Sequence, residues 1–243
     1  MRMKKPVNIQ INRIPNLLQS TLVALRIGGF DKIANPENRE AIIDCVTEGE
    51  RIEFQNTFNE LSGVSSSTWF ALFYQIPAYL AEDNVDSLKK VLYMLRNQHP
   101  WEVISKLPQK RALVESYMPE SEFERYVGFE GPPPSPWPVL LDRYLEMVLR
   151  VYDEWFESAW HNLMEKMMSV QAELVPVFDQ HDWIEVWEKK VDIDFPYPRF
   201  DVELTVQVTT QGTSLLAERD GFYALADPLS ITTMVSHEIC THL

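Results

Sequence analysis

The stretch Gly131-Pro132-Pro133-Pro134-Ser135-Pro136-Trp137-Pro138 constrains the fold more than any other part of the chain. Proline fixes φ and has no amide proton, so four prolines in five residues cannot continue a helix. Such a run favours a stiff, extended connector. It separates two regions. Residues 1–130 read as a helical N-terminal region with a short first strand, and residues 131–138 as the connector. Residues 139–243 read as a long helix, a short sheet and a last helix. The expected class is mainly α with a small antiparallel β-sheet, that is α+β.

The periodicities behind this reading are local. Val7, Ile9 and Ile11 alternate with Asn8, Gln10 and Asn12, a half-buried strand pattern. A helix is expected over about 15–27, stopped by Gly28-Gly29. Another opens at Pro36-Glu37 with Asn35 as its cap, and Gly63 with Ser65–Ser67 separates the next pair. Asp83-Asn84 opens a helix carrying Leu88, Val91, Leu92 and Leu95. Short helices follow around 101–107, 109–117 and 121–127. The long helix covers about 139–175 and ends before Pro176. A short helix is expected near 183–190. Asp201 to Thr210, DVELTVQVTT, then alternates strictly and is the strongest strand signal. Two more strands are expected at Leu215-Leu216 and Phe222–Leu225, joined by an Arg219-Asp220-Gly221 turn. Asp227 and Pro228 cap a final helix bearing Ile231, Met234 and Val235.

Composition excludes several functions. Eight Gly against sixteen Pro argue against a glycine-rich phosphate loop, and no GxGxxG or Walker-type sequence occurs. A net charge of -14 repels phosphate backbones, so no nucleic-acid partner is expected. The longest apolar run, Trp69–Leu80, is broken by Gln75 and Pro77 and is too short to cross a bilayer, so no membrane partner is expected. Cys45 and Cys240 make no disulfide framework, and no apolar leader segment follows Met1–Lys5. The expected location is the cytoplasm. The Trp69–Tyr74 aromatic run, Trp155 and Trp160 read as core.

Chemistry points to one place, His237-Glu238-Ile239-Cys240-Thr241-His242. Two imidazoles flanking a carboxylate are the donor types that hold zinc and supply a general base. Positions five apart on an ideal helix stand about 140° around the axis, so the two rings converge only if the helix bulges or unwinds near Cys240-Thr241.

The string His237-Glu238-Ile239-Cys240-Thr241-His242-Leu243 resembles the HEIxTHL core of the tyrosine-carboxypeptidase family that trims tubulin. That family is gluzincin-like and has an HExxxH motif. The resemblance covers these seven residues. It implies a zinc-dependent hydrolase of the peptidase class, with His237 and His242 as zinc ligands, Glu238 as the general base, and a peptide or protein substrate. It also implies a third, acidic ligand from a later helix, which this sequence does not contain. Three explanations stand open: a truncated product, a ligand borrowed from upstream such as His161 or His181, or no metal at all.

Other candidates are weaker. Glu157, His161 and Glu165 share one helix face, which reads as solvated, and His99 before Pro100 reads as a helix-end residue. The rival to the hydrolase is a non-enzymatic helical regulatory or assembly protein, for which a homodimer is the natural state. Under it the HExxxH string is a chance or degenerate match.

Overall fold

A computed structural model describes residues 4–59, 70–128, 133–209 and 213–243. The expected separators Gly63 and Ser65–Ser67, and Gly131-Pro132 of the connector, lie outside the described residues. The chain opens with β1 (Val7–Gln10), α1 (Arg13–Ala24), a 3-10 turn over Ile27–Lys32, α2 (Arg39–Asp44) and α3 (Glu48–Asn59). A π-turn at Ala71–Gln75 leads into α4 (Ile76–Leu80). Next come α5 (Val85–Asn97), α6 (Pro100–Ser105), α7 (Pro108–Tyr117) and α8 (Glu120–Val127). α9 (Trp137–Val151) begins inside the expected connector, taking Pro138 into its first turn, and is followed by a π-turn at Tyr152–Phe156, α10 (Glu157–Gln180) and α11 (Trp183–Val191). The chain closes with β2 (Phe200–Thr205), β3 (Thr213–Leu216), β4 (Arg219–Tyr223) and α12 (Pro228–Thr241). The class is α+β, mainly helical with one small sheet.

Local signals set several helix ends. Asn84 caps α5 by accepting from Ser87 N, and Leu88, Val91, Leu92 and Leu95 bury its inner face. Asp227 caps α12 by accepting from Ser230 N at 2.9 Å. Gly28 and Gly29 take φ of 58° and 78° after α1, a region open to glycine. Pro176 does not end the long helix, contrary to expectation, since α10 runs through it to Gln180. Leu174 and Phe178 are buried on either side of the proline, and that anchoring offsets the lost hydrogen bond.

The sheet is mixed rather than antiparallel, with order β1-β2-β4-β3. β1 and β4 both run parallel to β2, and only β3 is antiparallel, on the outer side of β4. The reason is topological. β1 arrives from the far end of the chain, and β3 folds back outside β4 instead of entering between β2 and β4. The β3–β4 turn is Ala217-Glu218, with Ala217 at φ 49°, so Arg219 and Asp220 lie in the strand and not in the turn expected there.

Register sorts the side chains into two faces. Val7, Ile9, Phe200, Val202, Leu204 and Phe222 line one face, and Asp220, aligned with Val202, is the charge among them. Asn8, Gln10, Asp201, Glu203, Thr205 and Arg219 line the other. Helices α10 and α12 pack on the apolar side, and α1 and α4 on the polar side. The alternation in β2 therefore does not mark a half-exposed strand. Asp201, Glu203, Thr205 and Gln207 are all buried. The same core continues into the helical part as an aromatic group, where the ring of Phe73 lies 4.7 Å from Tyr144 and 5.7 Å from Trp137. Both partners' polar tips are satisfied, by Phe73 O and Leu95 O respectively. Among the described residues no helix is long and apolar enough to cross a membrane.

Candidate functional site

Helix α12 buries Ile231, Val235 and Ile239 against the sheet. His242 continues that stripe, since eleven residues beyond Ile231 return to within about 20° of it. Its imidazole is 6% exposed, and Nε2 lies 3.2 Å from Oδ2 of Asp220. Four rings surround it, Phe200 at 5.6 Å, Tyr117 at 5.8 Å, Tyr197 at 6.0 Å and Phe195 at 6.4 Å. Asp220 is 1% exposed, and its Oδ1 is enclosed without a hydrogen-bond partner. The Tyr197 hydroxyl is enclosed likewise, and burial, then Tyr117, Glu218 and Asp220, push its pKa well above the usual phenol value.

His237 points elsewhere. It is exposed, on the far side of α12 from the stripe. Next to it, Ser236 accepts a hydrogen bond from Trp187 Nε1 at 2.9 Å, which ties α12 to α11. Glu238 is partly buried, and Thr241 Oγ1 donates to its Oε2 at 3.2 Å. Helix α12 carries no π-turn through Cys240-Thr241. The expected convergence of His237 and His242 is therefore not seen, because a regular helix turns them about 140° apart and the apolar stripe pulls His242 inward. As placed, the pair does not fit a single zinc ion. Among the described residues no group of three or more His, Cys, Asp or Glu side chains is gathered to hold a metal.

The upstream histidines do not join the site. His161 pairs with Glu165 at 3.2 Å on the exposed face of α10, and His181 follows that helix with its ring against Trp183. His99 caps α6 by accepting from Trp101 N through Nδ1. Asp220 is the residue the sequence reading passed over. The clue was present: removing Arg219-Asp220 from the turn gives a strand RDGFY whose second residue falls on the apolar face.

A second concentration of charge lies on the opposite face of the sheet. Glu203, fully buried, accepts from Asn12 N and Asn12 Nδ2, both at 2.7 Å, and pairs with Arg219. Arg199 Nε donates to both oxygens of Asp201 at 2.9 Å, and Tyr79 donates to Glu218 at 3.2 Å. Burial, with Asp201 adding to it, raises the Glu218 carboxyl, while burial and then Arg219 hold the Lys110 amine down at about 8. No protein-family model, curated protein or solved structure matches this chain.

Proposed function

We propose that the chain carries part of a zinc-dependent hydrolase site, with a peptide or protein as substrate. The observation that carries the reading is the Asp220–His242 pair at the end of the HExxxH helix. A carboxylate buried among apolar strand residues is costly unless paired. Orienting a ligating imidazole through its second nitrogen is a common use of such a carboxylate. In this reading Asp220 would set the ring of His242, His237 and His242 would hold the ion, which would supply Lewis-acid chemistry there, and Glu238 would stand as the base. The antiparallel outer strand β3 beside α12's partner β4 offers an edge for an extended peptide. Rewinding of the last turn of α12 is required to bring His237 and His242 together. Free Cys45 and Cys240 accord with a reducing, cytoplasmic setting.

Elemental analysis of the purified chain tests this directly. Near-stoichiometric zinc in the wild type, lost in His237→Ala and His242→Ala and weakened in Asp220→Asn, supports the reading. Absence of zinc from the wild type refutes it for this chain. The rival, a non-enzymatic helical regulatory or assembly protein, draws on one observation: His242 is already enclosed by Asp220 and aromatic rings, as a core residue would be. It requires thermal stability indifferent to a chelator, together with a stable dimer in solution.

A further inference from the structure

We propose that the cleft of about 250 Å³ between α4, α7 and the polar face of the sheet binds a small zwitterion of the α-amino-acid type, its carboxylate against Arg199 and its ammonium against Glu218. This cleft lies on the opposite face of the sheet from His242, so it does not depend on zinc.

The charges are layered. Arg199 stands at the mouth with its side chain 46% exposed, while Asp201 and Glu218 sit below with 4% each. Asp201 is held by Arg199 and by Asn8 Nδ2 at 2.9 Å. Glu218 is engaged through Oε2 by Tyr79, while its Oε1 lies 3.9 Å from Arg199, beyond hydrogen-bond reach. Arg219 lines this cleft and also a smaller cavity of about 60 Å³ beside Asn12 and Asp83, and its enclosed Nε has no hydrogen-bond partner. Lys110 Nζ is fixed nearby, donating to the carbonyl of Leu80 at 3.2 Å.

Neither a simple anion nor a simple cation suits this arrangement. An anion reaching Arg199 also approaches Asp201 and Glu218, and a cation reaching Glu218 also approaches Arg199, Lys110 and Arg219. A ligand with both charges a few bonds apart meets each layer with its opposite. The raised Glu218 carboxyl and the lowered Lys110 amine both mark charges that their surroundings leave under-compensated. The volume is below the roughly 300–1,000 Å³ of drug-sized pockets, which suits a ligand the size of an amino acid. Leu113 supplies an apolar wall for a side chain.

The test is calorimetric titration and thermal melting of the full chain with glycine, L-alanine, L-leucine and L-glutamate. L-Alaninamide, which lacks the carboxylate, and N-acetyl-L-alanine, which lacks the ammonium, serve as controls. At least one zwitterion is expected to bind and raise the melting temperature at about 10 mM, with both controls roughly tenfold weaker or worse. Arg199→Gln is expected to abolish binding, as is Gln109→Trp, which fills the cleft from an exposed position. The proposal is overturned if no zwitterion gives heat or a melting shift, if the controls bind equally well, or if folded Gln109→Trp binds as the wild type does.

Discussion

Replacing Glu203 by Gln isolates the contribution of the buried ion pair beneath the sheet. Volume is kept and an amide oxygen remains for Asn12, but Arg219 loses the counter-charge beside its guanidinium. Removing one partner of a buried pair typically costs about 3–5 kcal/mol. Arg219 keeps Ala78 O at 3.4 Å, Asp201 aligned on the next strand, and a side chain 13% exposed. These place Glu203→Gln at the lower end, about 3 kcal/mol. For a chain of this size each kcal/mol lowers the melting temperature by roughly 2–4 °C, so a fall of about 6–12 °C is expected. Adding Arg219→Met removes the stranded charge as well, and the double variant should then recover to within about 1–2 kcal/mol of wild type. The assay is urea unfolding followed by Trp fluorescence, with an unchanged denaturant slope to certify the comparison. A Glu203→Gln loss below about 0.5 kcal/mol, or a double variant no better than the sum of the singles, refutes the reasoning.

Three further outcomes follow from the same geometry. Asp220→Asn weakens the carboxylate contact to His242 in the apolar layer, so amide exchange in the last turn of α12 should quicken while α5 keeps its protection; unchanged exchange at 238–243 counts against a holding role for the Asp220–His242 pair. Glu50 is held down to about 2, first by the hydrogen bond from Arg150 and then by Thr47, which clips α3 to α9. Its folded pKa lies below the unfolded one, so its stabilisation is full above the ordinary carboxylate range and disappears as pH falls toward 2. Both side chains are about a third exposed, so solvent screening limits this to under about 1 kcal/mol. The stability gap between wild type and Glu50→Gln should therefore close on acidification; a gap independent of pH rejects the assignment. Finally, burial and then Glu154 push the Cys45 thiol up to about 11. At pH 8 a thiol reagent should label the partly exposed Cys240 first and reach Cys45 only on unfolding, and equal labelling rates would be inconsistent with this packing.

The sequence was sufficient wherever a feature depends on neighbours within a turn or two. Leu88, Val91, Leu92 and Leu95 fix the inner face of α5, Asn84 and Asp227 fix two helix starts, and the alternation after Asp201 locates β2. The HExxxH string is equally local, and so its existence could be read directly. What its residues face could not. His242 turns inward because a partner, Asp220, waits on a strand 22 positions earlier, and His237 stays outside because the helix remains regular. The polar half of β2 likewise looks solvent-facing in isolation. It is buried because Asn12 and Asn16 arrive from about 190 positions upstream and Arg219 from 16 downstream. Pro176 continues a helix for a related reason, with buried Leu174 and Phe178 holding both sides. Propensity and capping act over a few residues, whereas the cost of burying a charge is settled only by whatever the fold brings against it.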